Sequence, residues 1–143
     1  MMRSLTVILS ILLMVLLVAC GGGETAVMGP AEVMDAYTEA INNHDVEAAL
    51  ALVADDAVYE RPAGSFNGKE EIRGFIEDLI ARDVQVELVG ERTVDGERVT
   101  WQSHVRIKDP ANLDGPLLEI MNNSESTVRD GQIVHHRAEP ASQ

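Results

Sequence analysis

The stretch Ile76-Glu77-Asp78-Leu79-Ile80-Ala81-Arg82-Asp83-Val84-Gln85-Val86-Glu87-Leu88 decides the fold. Up to Arg82 the apolar residues keep helical spacing: Ile72, Phe75, Ile76, Leu79 and Ile80 mark the inner face of a helix over 69–82. From Val84 the period drops to two. Val84, Val86 and Leu88 alternate with Gln85 and Glu87, as in a half-buried strand. Everything upstream reads mainly as helix, and everything downstream as strand.

Working upstream, Val33, Tyr37, Ala40 and Ile41 recur at helical spacing behind Pro30, a residue suited to a first helical turn. They predict an amphipathic helix over 30–43, broken at Asn42-Asn43-His44. Asp45 is a candidate N-cap for a short second helix carrying Val46, Ala49, Leu50 and Val53, ended by Asp55-Asp56. Ala57 to Arg61 reads as a short strand stopped by Pro62, and Ala63 to Gly68 as a loop. Downstream, Asp95-Gly96 and Asp130-Gly131 are hairpin-turn signals. They delimit strands through Val99, Trp101, Ser103, Val105 and Ile107, from Leu117 to Arg129, and from Gln132 to Glu139, with a loop over 108–115. Helices first and an antiparallel sheet afterwards predict an α+β fold, with three helices covering one face of a curved sheet. Phe75, Leu88, Leu118 and Val134 are among the residues expected in its core.

The N-terminus carries a different message. Arg3 is followed by an almost wholly apolar run from Leu5 to Val18, then small Ala19, Cys20 and three glycines. Positive start, apolar core and small-residue junction are the order of a secretory signal. The run falls short of the ~20 apolar residues of a spanning helix. The placement of Cys20 resembles a bacterial lipoprotein lipobox. That resemblance implies cleavage before Cys20 and acylation of its thiol, by chains such as palmitate. Residues 1–19 then form a signal peptide, 20–29 a flexible tether and 30–140 the folded domain. The expected location is the bacterial cell envelope, with the protein held at a membrane through Cys20. An ordinary signal peptide and an uncleaved helix are the alternatives.

The chain has 24 acidic residues against 11 basic ones and a net charge of −13, which disfavours nucleic acid as a partner. Its single cysteine leaves no disulfide within the domain. His44, His104, His135 and His136 show no ligand spacing beyond one adjacent pair, so no metal and no cofactor is expected.

The order Tyr37…Asn43-His44-Asp45-Val46-Glu47-Ala48-Ala49…Ala54-Asp55-Asp56-Ala57-Val58…Pro62-Ala63-Gly64…Gly68-Lys69-Glu70-Glu71-Ile72, with Val128-Arg129-Asp130-Gly131-Gln132-Ile133-Val134 near the C-terminus, resembles the SnoaL-like branch of the nuclear-transport-factor-2-like superfamily. The resemblance covers roughly 30–138 and implies a cone: a bent sheet around helices, with a pocket at the wide end. Against ketosteroid isomerases, Tyr37 matches the oxyanion-hole tyrosine. Arg61 falls where they carry the general-base aspartate, and no carboxylate stands near Ser124, where the acidic partner belongs. A guanidinium cannot abstract a proton at neutral pH. Against limonene epoxide hydrolases, Tyr59 matches a water-positioning residue. Their remaining catalytic set falls near Arg61, Ser103, Val105 and Ala138, without its acid and base.

Strand parity supplies the rest of the candidate site. Leu118, Ile120, Asn122, Ser124, Ser126 and Val128 share one strand face, which turns from apolar to polar along its length. The family resemblance implies that His136 faces the pocket with Val134 and Ala138; alternation then turns His135 the other way, and Glu60 faces opposite to Arg61. Tyr37, Tyr59, Arg61, Trp101, Ser124 and His136 are therefore the candidate pocket residues. A histidine there titrates near neutral pH and can serve as a base. The favoured reading is a membrane-anchored domain that binds a small, partly apolar ligand, anionic or neutral, without catalysis. An isomerase, cyclase or hydrolase using His136 is one alternative. The other is a homodimer through an outer sheet face bearing His104, Arg106, Met121 and Asn123.

Overall fold

The computed structural model describes residues 26–142. The Cys20 reading and the signal segment lie outside them. The elements are α1 (Pro30–Asn42), α2 (Val46–Ala51), β1 (Val53–Arg61), β2 (Gly64–Asn67), α3 (Lys69–Ala81), β3 (Gln85–Asp95), β4 (Arg98–Asp109), β5 (Asn112–Arg129) and β6 (Gln132–Pro140). Six strands form one open, curved sheet in the order β2-β1-β6-β5-β4-β3. The α+β class holds, with the helices packed on one face.

One pairing departs from the all-antiparallel expectation: β1 and β6 run parallel. The chain crosses from β1 through β2, α3 and three further strands before it returns beside β1, so no tight hairpin forces opposite directions. A second correction concerns Asp55-Asp56. They do not end α2, which stops at Leu52, where the backbone N–H bonds back to the carbonyls of Ala49 and Leu50. Both aspartates are exposed within β1, in the irregular stretch between its Val53 and Val58 pairings with β6. A bulged strand start and a helix end share the same polar composition. The expected loops at 63–68 and 108–115 are also partly strand, since β2 pairs with β1 and the β4–β5 hairpin closes at Asp109 and Asn112.

Local signals account for the helices. Glu32 reaches back to the Gly29 backbone N–H at 2.8 Å, and Asp45 accepts from the Ala48 N–H at 2.9 Å, satisfying helix-end donors. Val33, Met34, Tyr37, Ala40 and Ile41 form the buried face of α1. Ile72 and Ile76 do the same for α3, where Phe75 is only half-buried. Asn42 ends α1 with a second role. Its side-chain amide takes the Val86 N–H at 2.7 Å and gives a hydrogen to the Val86 carbonyl at 2.8 Å, tying α1 to β3 as a strand would.

Two expected core residues are outside: Leu88 is 36% and Leu118 40% exposed. Leu113 and Leu117 are exposed as well, so both faces of the β4–β5 hairpin arm lie beyond the helical cover. Alternation gives a residue's face but not where a strand leaves its layer. In β6 a bulge at Val134 changes the parity: Val128 pairs with Ile133, but Thr127 pairs with His135. Ile133 is therefore fully buried and Val134 only partly.

Candidate functional site

The helices and the inner sheet face enclose a cavity of about 230 Å³. Tyr37 reaches it from α1, Arg61 from the end of β1, Trp101 and Ser103 from β4, Asn122 and Ser124 from β5, and His136 and Ala138 from β6. Met34, Ile41, Phe75, Leu79, Val84, Val86, Val105 and Ile120 supply most of the apolar wall. Five of the six candidate residues thus meet at one cavity. Tyr59 does not. It is fully buried behind the wall, with its ring 5.1 Å from that of His136 and 6.2 Å from that of Tyr37.

The Tyr59 hydroxyl is buried without a hydrogen-bond partner. The Tyr37 hydroxyl is close enough to influence its ionisation, yet the geometry between them falls short of a hydrogen bond. Burial raises both phenols above their ordinary value, Tyr59 well above it, so both stay protonated at neutral pH.

His136 is the most strongly perturbed imidazole. Burial, and next the positive charge of Arg61, push it well below its ordinary value, so it is neutral near pH 7. Its Nδ1 lies 2.7 Å from the buried Ser126 hydroxyl, and its ring stacks on Trp101 at 5.7 Å with a 15° tilt. Nε2 remains for a cavity occupant.

Among the described residues Arg61 carries the only charge on the cavity wall. Its Nη1 donates to the Glu60 carbonyl at 2.9 Å, and its guanidinium carbon sits 4.8 Å from the centre of the Phe75 ring. Burial lowers its pKa, but a guanidinium begins far above neutrality and stays cationic. Among the described residues no carboxylate is in salt-bridge reach of it; Glu60 instead points outward to His135 at 3.3 Å. His104 and Met121, paired across β4 and β5, lie on that outer face too, with His104 3.8 Å from Glu119. Among the described residues no group of three potential metal ligands occurs.

Sequence reading missed Arg92. Between Val89 and Thr93, β3 sets three residues against the single residue Trp101 of β4, and Gly90 takes a positive φ of 73°. This bulge folds Arg92 inward, leaving its side chain 5% exposed. Nε donates to Asp35 at 2.8 Å, Nη2 to the Met34 carbonyl and Thr38, and the guanidinium lies 4.6 Å over Trp101. The positive-φ glycine was the available signal, but alternation alone could not aim the arginine. Ser126 was on the expected inward face, without the role of fixing His136.

A cone-like α+β domain with a ligand-sized cavity between helices and sheet is the class that these features define. The SnoaL-like domain family matches residues 34–136, and the chain belongs to it. Solved structures agree on the fold. An NTF2-like protein of unknown function from Cytophaga hutchinsonii superposes with a TM-score of 0.67 at 13% identity, over 80% of this chain and 91% of that one. An LEH-like epoxide hydrolase from M. tuberculosis gives 0.67 at 19%, over 78% and 82%. TerC, co-crystallised with polyporic acid, gives 0.66 at 17%, over 76% and 88%. At such identities the likeness is one of fold. No curated protein matches the chain.

Proposed function

We propose that this protein is a lipoprotein of the bacterial envelope whose SnoaL-like domain binds a small, partly apolar, anionic ligand without transforming it. One observation carries the binding reading. Among the described residues no acidic side chain lines the cavity, and the one charge that does is an arginine without a carboxylate partner. A half-buried, unpaired cation is costly, and an anionic occupant would offset that cost. The fold supports the reading in kind, since TerC was crystallised with a small organic molecule. The absence of catalysis rests on the wall chemistry. Arg61, Ser103, Val105, Ser124 and Ala138 line the cavity where the related isomerases and hydrolases hold acids and bases. A second reading, proton transfer by His136, is favoured by one feature: a neutral imidazole held by Ser126. Anchoring rests on the sequence around Cys20.

One preparation tests both halves. Full-length protein and its Cys20→Ser variant are fractionated, and small molecules that co-purify with the native protein are identified by mass spectrometry. The proposal predicts that Cys20→Ser leaves the membrane fraction still folded, and that an organic acid co-purifies with the native protein. Retention of Cys20→Ser in the membrane after signal processing would contradict the anchor. A neutral molecule, trapped equally by Arg61→Met, would contradict the anionic ligand.

A further inference from the structure

The ligand class can be narrowed from the way Arg61 is held, given the binding reading above. We propose that Arg61 is a carboxylate fork, and that the cavity takes a monocarboxylic acid with one ring or a short branched chain, its carboxylate at the mouth and its apolar body inside.

The first argument is the free edge of the guanidinium. Nη1 is engaged by the Glu60 carbonyl, and the Phe75 ring lies against the guanidinium. Nε and Nη2 have no acceptor among the described residues. Those two nitrogens form the side of an arginine that matches a carboxylate with two parallel hydrogen bonds. The same chain uses that side elsewhere: Arg129 holds Glu97 through Nε at 3.1 Å and Nη2 at 2.9 Å. Arg61 offers the equivalent edge at the cavity, with nothing to fill it.

The second argument is charge. The wall presents one cation, no carboxylate and a neutral imidazole. It balances one negative charge; at the mouth Arg137 is already paired with Glu139, so a second would meet no free counter-charge among the described residues. The third is size. A dry cavity of about 150 Å³ holds benzene, so by the same proportion this one corresponds to a ligand of about eight to ten non-hydrogen atoms. A fused-ring system or a long acyl chain exceeds that. The fourth is polarity along the cavity. Arg61 and Pro62 also border an outer groove with Glu60, Gly64, Ser65, Arg137 and Glu139, which sets the guanidinium at the mouth. Ile41, Leu79, Val86 and Ile120 line the apolar part that would receive a ring.

The test is calorimetric titration of the full-length protein with benzoate, its neutral isostere benzamide, and the larger 2-naphthoate. Trp101, the only tryptophan of the chain, reports occupancy through its emission. Benzoate is expected to bind and to perturb that emission. Benzamide is expected to bind about ten- to a hundredfold more weakly, as follows from losing hydrogen bonds to a charged partner. 2-Naphthoate should also bind more weakly than benzoate. Arg61→Gln should erase the preference for benzoate over benzamide. Arg61→Lys should restore it only in part, since an ammonium lacks the fork. Equal affinity for benzoate and benzamide, or a preference that survives Arg61→Gln, overturns the fork and leaves cavity binding intact. Tight binding of 2-naphthoate overturns the size class. An unchanged Trp101 emission and no heat with any of the three overturns the proposal together with the binding reading beneath it.

Discussion

At the scale of single residues, the site is defined by groups held in states they would not adopt in water. His136 is neutral because burial and the Arg61 charge oppose its protonation. The unfolded chain releases that constraint, so below an ordinary histidine pKa of about 6.5 it binds a proton the folded protein refuses. The folded-state pKa is the lower of the two. The stability that His136 contributes is therefore complete above the unfolded value and declines as pH falls from there toward the folded one. Melting temperature followed from pH 7.5 to 5 should show an acid-side loss that His136→Phe reduces. A variant with an identical pH profile would show that the imidazole is not held neutral. That Tyr37, Arg61, Trp101 and Ser124 line one cavity was legible from strand and helix parity, and for His136 from parity together with the family resemblance. Tyr59 was misread because an inward-facing residue on β1 can end behind the wall instead of on it. Parity fixes a direction, and depth depends on what packs in front; here the ring meets Tyr37, Phe75 and His136.

At the scale of elements, the cavity depends on how α1 is fastened over the sheet. Asn42 bridges the end of α1 to the Val86 backbone, and Arg92 bridges its first turns to β3 and Trp101. Asn42→Ala leaves the Val86 N–H and carbonyl without these partners in a part-buried place. It should cost about 1–3 kcal/mol in chemical denaturation, and it should weaken ligand binding through Tyr37 and Val86. A variant as stable as the parent would show that water replaces the clasp at no cost. Neither clasp was visible in the sequence. Asn42 reads as a helix breaker and Arg92 carries no local signal, because both roles depend on partners 44 or more positions away. By contrast, the two Asp-Gly hairpins and the change of period after Arg82 are local signals, and the strands they predict are present. What local signals missed were irregularities in the ladders: three extra residues at 54–57, two at 90–92 and one at Val134, which alter which side chains face in.

At the scale of the whole molecule, polarity of the fold and of the charge distribution point the same way. β1 and β6 run parallel, from Val53 and Ile133 at one end to Arg61 and Pro140 at the other. Val27 packs beside the turn at Gly131, close to the start of β6. Among the described residues, Val27 therefore lies at the end of these strands opposite Arg61. The chain is strongly acidic, yet among the described residues that arginine is the one charge on the cavity wall. The central claim is that Arg61 is kept unpaired for a ligand. If so, it lowers the stability of the empty protein, and replacing it with an apolar side chain of similar length should stabilise that state or leave it unchanged. The direct measurement is the melting temperature of the native protein and of Arg61→Met, each with and without saturating benzoate. The account predicts that the variant melts no lower than the native protein when empty, and that benzoate raises the melting temperature of the native protein alone. A variant that melts several degrees lower, yet is raised by benzoate as much as the native protein, would contradict it.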